Sequence, residues 1–184
     1  MPFKWYEKVE SEKDLEQGDI IEHCNVIVPN EEHYIAVQKG VENSSPVDII
    51  EINGIVLSQS CDIKNEKIDS IIVCPIWPLK ELVKKDEFFR AKKARESLRQ
   101  GLCPQYHLLN KLSTGDLSED YYFVDFHHIY SVPKSFISGL IKGVVRLRLL
   151  PPYREHLSQS FARYFMRVGL PTDISKDEIK NYTI

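Results

Sequence analysis

Apolar residues in this chain come in short β-branched runs cut off by turn-forming residues, and this punctuation limits the fold more than any other feature. IIEHCNVIV follows Gly18-Asp19, VDIIEINGIVLSQ follows Asn43-Ser44-Ser45-Pro46, and SIIVCPIWPL lies beyond the polar stretch DIKNEKID. Runs of this kind, bounded by Gly, Pro, Asn and Asp, predict strands. Strands are expected over 17–28, over 47–59 with a bend at Asn53-Gly54, and over 70–79, with a further short strand over Tyr34 to Val37. YHLL (106–109) and YYFVDF (121–126) flank a Ser-Thr-Gly-Asp turn, and VVRLRLL alternates so that Arg146 and Arg148 share one strand face.

Two segments read differently. Lys80 to Gln100 has neither Gly nor Pro and is rich in Leu, Ala, Lys, Glu and Arg, which predicts a helix ended by Gly101. After Pro151-Pro152, the segment 153–168 has helical period and stops at Gly169. Leu157, Phe161, Tyr164, Phe165 and Val168 fall on one side as core, and His156, Ser160, Arg163 and Arg167 on the other. At 184 residues, 42% hydrophobic and 28% charged, residues 1–184 suit a single domain, with 171–184 as a polar tail. Only one long connection is helical, so a parallel sheet is not expected. The fold class is α+β, mainly β: a small bent barrel of the SH3-like kind.

The formal net charge of −3 hides an asymmetry. Residues 1–70 hold 6 Lys and Arg against 15 Asp and Glu, and residues 71–184 hold 18 against 12. Positive charge concentrates over 80–99 and again over 142–167, and a local field of this sign attracts phosphate whatever the net charge. Arg146, Arg148, Arg154, Arg163 and Arg167 stand near Tyr153, Tyr164 and Phe165, which supplies charge for phosphates and ring faces for bases. No helix-turn-helix or zinc-finger pattern is present to enter a duplex groove, so single-stranded RNA is the better match.

Ser58-Gln59-Ser60-Cys61-Asp62, at the end of an apolar strand, is a second candidate binding site. Cys61 would be a nucleophile if His107, His127, His128 or His156 lowered its pKa, and otherwise a packed thiol beside a turn-forming Asp62. Cys24, Cys61, Cys74 and Cys103 lack the spacings of a zinc centre. His127 and His128, as strand neighbours, would point to opposite faces. There is no GxxxxGK[ST], GxGxxG, GxSxG or HExxH, so no metal and no cofactor is expected. The N-terminus lacks a secretory apolar core and no apolar run approaches the ~20 residues of a membrane span, so the expectation is a cytoplasmic protein of bacterial type with reduced thiols.

GDII near the start, then GIVLSQSCDI, IIVCPIWPL and YYFVDFHHIYSVPKSFI, in that order, resemble the MazF/PemK-like toxin family. The likeness covers residues 17–79 and 119–138 and makes 80–118 a helical insertion. It implies a compact barrel with flanking helices, a homodimer, a partner antitoxin, and metal-independent cleavage of single-stranded RNA. The family's Arg before the strand matching GIVLS has no counterpart in EIN, and Ile76, Trp77 and Pro78 stand where a Thr or Ser follows the Pro. No catalytic residue therefore transfers by position. An endoribonuclease here would rely on His156 for proton transfer and on Arg163 and Arg167 for the phosphate, with Arg146, Arg148 and Arg154 binding the strand. The alternative is a non-catalytic protein- or ligand-binding module that uses Ser58 to Asp62.

Overall fold

A computed structural model describes residues 3–40 and 47–166, and the statements below concern those residues. The chain runs β1 (Tyr6–Val9), β2 (Ile20–Pro29), α1 (Glu31–Gln38), β3 (Val47–Val56), α2 (Ser60–Lys64) and β4 (Ser70–Pro78). It continues through α3 (Leu79–Lys85), a 3-10 turn (Glu87–Arg90), α4 (Lys92–Arg99), β5 (Tyr106–Thr114) and β6 (Leu117–Asp125). β7 (Tyr130–Pro133), α5 (Lys134–Leu140), β8 (Arg146–Leu149) and α6 (Tyr153–Phe165) complete it. The fold is α+β, and its strand pairings are antiparallel.

The larger sheet has the order β2-β3-β4-β6-β5, with β7 on β4, and β1 pairs β8 in a two-stranded sheet. A single bridge, Asp19 to Arg148, links the two sheets. The expected barrel is not closed: no pairing among the described strands joins β1 to β5, so β5 is a free edge. Gly18 makes the junction between the sheets. At φ +86° it donates to Val56 O and accepts from Leu149 N, and a Cβ there would lie 3.1 Å from the Leu149 carbonyl.

Both faces of the larger sheet are covered over its central part, which explains the unbroken apolar runs there. Ile27, Val47, Ile49 and Ile50, at the far end of β2 and β3, are exposed. Ile20, Ile55 and Cys74 face a core shared with Leu147, Leu149 and Leu157 of α6. Their neighbours Ile21, Val56 and Val73 face a second core with Ile63 of α2 and Ile137 of α5. A third cluster gathers Leu82, Phe89, Ala94, Leu98 and Cys103 around Phe123 at the β5–β6 end.

Three expectations about local structure change. Tyr34 to Val37 is helical, within α1, because Asn30 caps the helix by accepting from His33 N at 2.9 Å, and Glu31 and Glu32 fill the first turn. The single helix expected over 80–100 is three short pieces. Asp86 is extended and its carboxylate accepts from Phe88 N, and Ala91 is extended as well, so the chain curls until Leu82, Phe89 and Leu98 all reach one apolar cluster. A straight helix of that length would be ~30 Å long and could not do so. Residues 106–114, inside the stretch read as a helical insertion, form β5 of the sheet. Gly101 ends α4 as expected, at φ +72°. The turn at Asn43 to Pro46, the positions Arg167, Val168 and Gly169, and the tail 171–184 lie outside the described residues.

Candidate functional site

Because α4 packs on one face of the sheet's end and α6 on the other, the free edge of β5 is left as the floor of a groove between the two helices. A wide chamber of about 780 Å³ is lined by Trp5, Lys92, Arg95, Arg99, Tyr121 and Tyr153, among others, and a narrow one of about 300 Å³ by Arg99, Gln159, Ser160 and Arg163. His107 and His156 line both.

The charge along the walls is positive: Lys92, Arg95, Arg99 and Arg163 against the single carboxylate of Glu96. Arg99 forks onto Glu96 with bonds of 2.6 and 2.8 Å, and this pairing, with Gln100 adding to it, holds the Glu96 carboxyl down to about 2. Arg95 donates to the carbonyls of Phe89 and Arg90, which fixes the start of α4 against the 3-10 turn. Aromatic rings complete the wide chamber. Trp5 stacks on Tyr153 at 3.6 Å between centroids and 10° between planes, and Tyr121 is 40% exposed with Lys111 above its ring.

His107 is partly buried at the floor, its Nδ1 3.0 Å from Ser160 Oγ. Burial first, and the nearby His156 second, push its pKa from 6.5 down to about 4, so the imidazole is neutral at physiological pH. His156 and Ser160 are one turn apart on α6, with Arg163 three residues further, so the stripe read from the helical period does line one wall.

Two candidate arginines are not available to a ligand. Arg146 and Arg148 are 3% and 8% exposed and close on Asp19, which is fully buried. Arg146 Nε donates to Asp19 Oδ2 at 2.8 Å, and its Nη2 donates to the carbonyls of Lys13 and Asp14. Arg148 Nε donates to Asp19 Oδ1, and its Nη1 meets Glu16 at 2.8 Å. The expected role for these two in binding phosphate is therefore corrected: they share one strand face, as predicted, but that face is the inside. Arg154 pairs with Glu16 at 3.7 Å and Glu155 at 3.2 Å and lines neither chamber. Arg167 lies outside the described residues.

The Ser58 to Asp62 loop is chiefly architectural. Ser58 Oγ accepts from Ile72 N at 2.8 Å, and Ser60 Oγ accepts from Gln17 N at 3.0 Å. The Gln59 carbonyl accepts from Asp62 N and Ile63 N at the start of α2, without a side-chain cap. Cys61 is exposed, and its thiol lies 3.7 Å from Asp62, whose other contact is Lys67. None of the described histidines hydrogen-bonds Cys61, so the nucleophile pairing considered from sequence has no support. Cys24, Cys74 and Cys103 are buried, and burial raises the first two thiols to about 11 and about 12. Among the described residues no three His, Cys, Asp or Glu side chains gather where a metal ion would fit.

Sequence reasoning passed over Asp125 and misjudged its neighbours. His127 and His128 lie beyond the end of β6, in a turn, and both direct Nδ1 to the two oxygens of buried Asp125 at 3.0 Å. The signal was the Asp-Phe-His-His string at a strand end, where the alternation of a strand no longer applies. No helix among the described residues is long and apolar enough to cross a membrane.

Comparison with protein-family models, curated proteins and solved structures finds no match.

Proposed function

We propose that this chain is a cytoplasmic, toxin-like protein of the MazF/PemK-like, SH3-like kind that binds single-stranded RNA in the groove along β5 and cuts it there. The observation that carries the reading is the combination in one groove of a cationic wall, the exposed Tyr121 ring beside the partly buried Trp5–Tyr153 stack, and two histidines. Single strands are held by backbone charge together with base stacking, and both are supplied here by different parts of one surface. Lys92 in the wide chamber and Arg163 in the narrow one flank the histidine pair, so successive phosphates along a strand would meet a cation on each side of it. Arg163 takes the phosphate charge and His156 takes part in proton transfer.

The test is a titration of a fluorescein-labelled single-stranded RNA, followed by anisotropy at several salt concentrations. Replacing Lys92 and Arg163 together by Ala is expected to weaken binding and to flatten the slope of log K against log salt by about 0.7 per lost phosphate contact. Affinity and slope equal to those of the unaltered chain would overturn the reading. A variant with Cys61 and Asp62 replaced is expected to bind as the unaltered chain does.

A further inference from the structure

His107 and His156 line both chambers, together with Leu98, Arg99 and Leu108. They come from different elements, His107 from β5 on the floor and His156 from α6 on the wall, and they lie near enough for His156 to act on the charge of His107. Ser160, one turn beyond His156, reaches His107 Nδ1 at 3.0 Å. The tautomer that donates Nδ1–H to the Ser160 oxygen leaves the lone pair of His107 on Nε2, and it is the tautomer this role requires. Resting on the RNA reading above, we infer that His107 is a catalytic base and His156 its partner acid in cleaving a phosphodiester bound between them, with Ser160 as the positioning residue.

The chemistry closes on the groups present and on RNA itself. His107 Nε2 accepts the proton of the ribose 2′-hydroxyl, the 2′-oxygen bonds to the adjacent phosphorus, and the bond from phosphorus to the 5′-oxygen breaks. Protonated His156 gives its proton to that leaving oxygen. The products are a 2′,3′-cyclic phosphate and a 5′-hydroxyl, and no water, oxidant or further reactant is consumed. Such a step needs one neutral imidazole to accept the 2′-hydroxyl proton and a second to deliver a proton to the leaving oxygen. Burial supports the assignment by keeping His107 neutral, and a protonated His156 disfavours a second positive charge beside it.

The experiment uses the full chain, a single-stranded RNA and the same sequence with 2′-deoxyribose throughout. Anisotropy reads binding, and single-turnover cleavage with mass analysis of the product ends reads the chemistry. The unaltered chain is expected to bind both strands, to cleave only the RNA, and to leave cyclic-phosphate ends. His107→Gln should bind within about twofold and lose cleavage by roughly 10²–10⁴-fold. Ser160→Ala should bind normally, cleave more slowly and show a displaced acid limb in its pH profile, which a merely structural role would not move. Binding of RNA without cleavage overturns this inference and leaves the RNA reading standing. Cleavage of the deoxy strand, or full cleavage by His107→Gln, overturns it also, and failure to bind either strand overturns both.

Discussion

Replacing Asp19 by Ala is expected to destabilise the fold by about 3–5 kcal/mol. Asp19 is the single buried carboxylate between two buried guanidiniums, and it also accepts from the backbone N–H of Glu16 at 3.1 Å. Removing it leaves buried Arg146 with backbone carbonyls alone and Arg148 with only the partly exposed Glu16 as counter-charge. The penalty for buried charge without its carboxylate exceeds that of the lost hydrogen bonds. The damage should be non-additive. Replacing Asp19, Arg146 and Arg148 together with Leu, Met and Met should cost less than Asp19→Ala alone, because no bare charge remains. Urea unfolding at neutral pH measures both. A loss below about 1 kcal/mol for Asp19→Ala would mean that the arginines reach solvent, and would contradict the placement of β8 against the Gly18 turn.

Acid should weaken the protein through His107. Its pKa is 6.5 in the unfolded reference and about 4 when folded, so between those values the unfolded chain binds a proton that the folded chain does not. Stability therefore rises with pH across that window, is fully present above about 6.5, and is lost as pH falls toward 4. Between pH 7 and pH 4.5 the contribution is about 2 kcal/mol. Other groups titrate over the same range, so the quantity to measure is the difference between the unaltered chain and His107→Gln. That difference in unfolding free energy should move by about 2 kcal/mol between the two pH values. A difference that stays constant would show that His107 is solvated, and would remove the neutral base from the groove.

Much of the sheet is legible from residues alone, because pairs such as Ile20 with Ile21 and Ile55 with Val56 are buried on opposite faces and write a continuous apolar run. The wall of the groove is legible too, since His156, Ser160 and Arg163 share a helix face by spacing, and α6 is long enough for that spacing to hold. The fate of Arg146 and Arg148 was not. Their partner Asp19 lies 127 and 129 residues away, and nothing in local pattern distinguishes an arginine that meets phosphate from one that meets a distant buried carboxylate. The sequence offers His107 only as one of four candidate partners for Cys61, because a histidine in a strand meets Ser160 and His156 only once α6 packs beside it. Two misread segments did carry signals. Asn30 before Glu31 and Glu32 is a helix start, and Asp86 before Phe88 is a cap that interrupts a helix, but each was outweighed by the apolar pattern around it.

The central claim is that the groove along the free edge of β5 is where RNA lies. Crosslinking a single-stranded RNA that carries 4-thiouridine to the intact chain, and then locating the adducts by peptide mass spectrometry, tests it most directly. The adducts are expected on the peptides that contain Trp5, Tyr121 and Tyr153, and they should disappear when Lys92 and Arg163 are replaced. Adducts confined to the paired strands β2 and β3 or to the loop from Ser58 to Asp62, with the groove peptides unmodified, would contradict it.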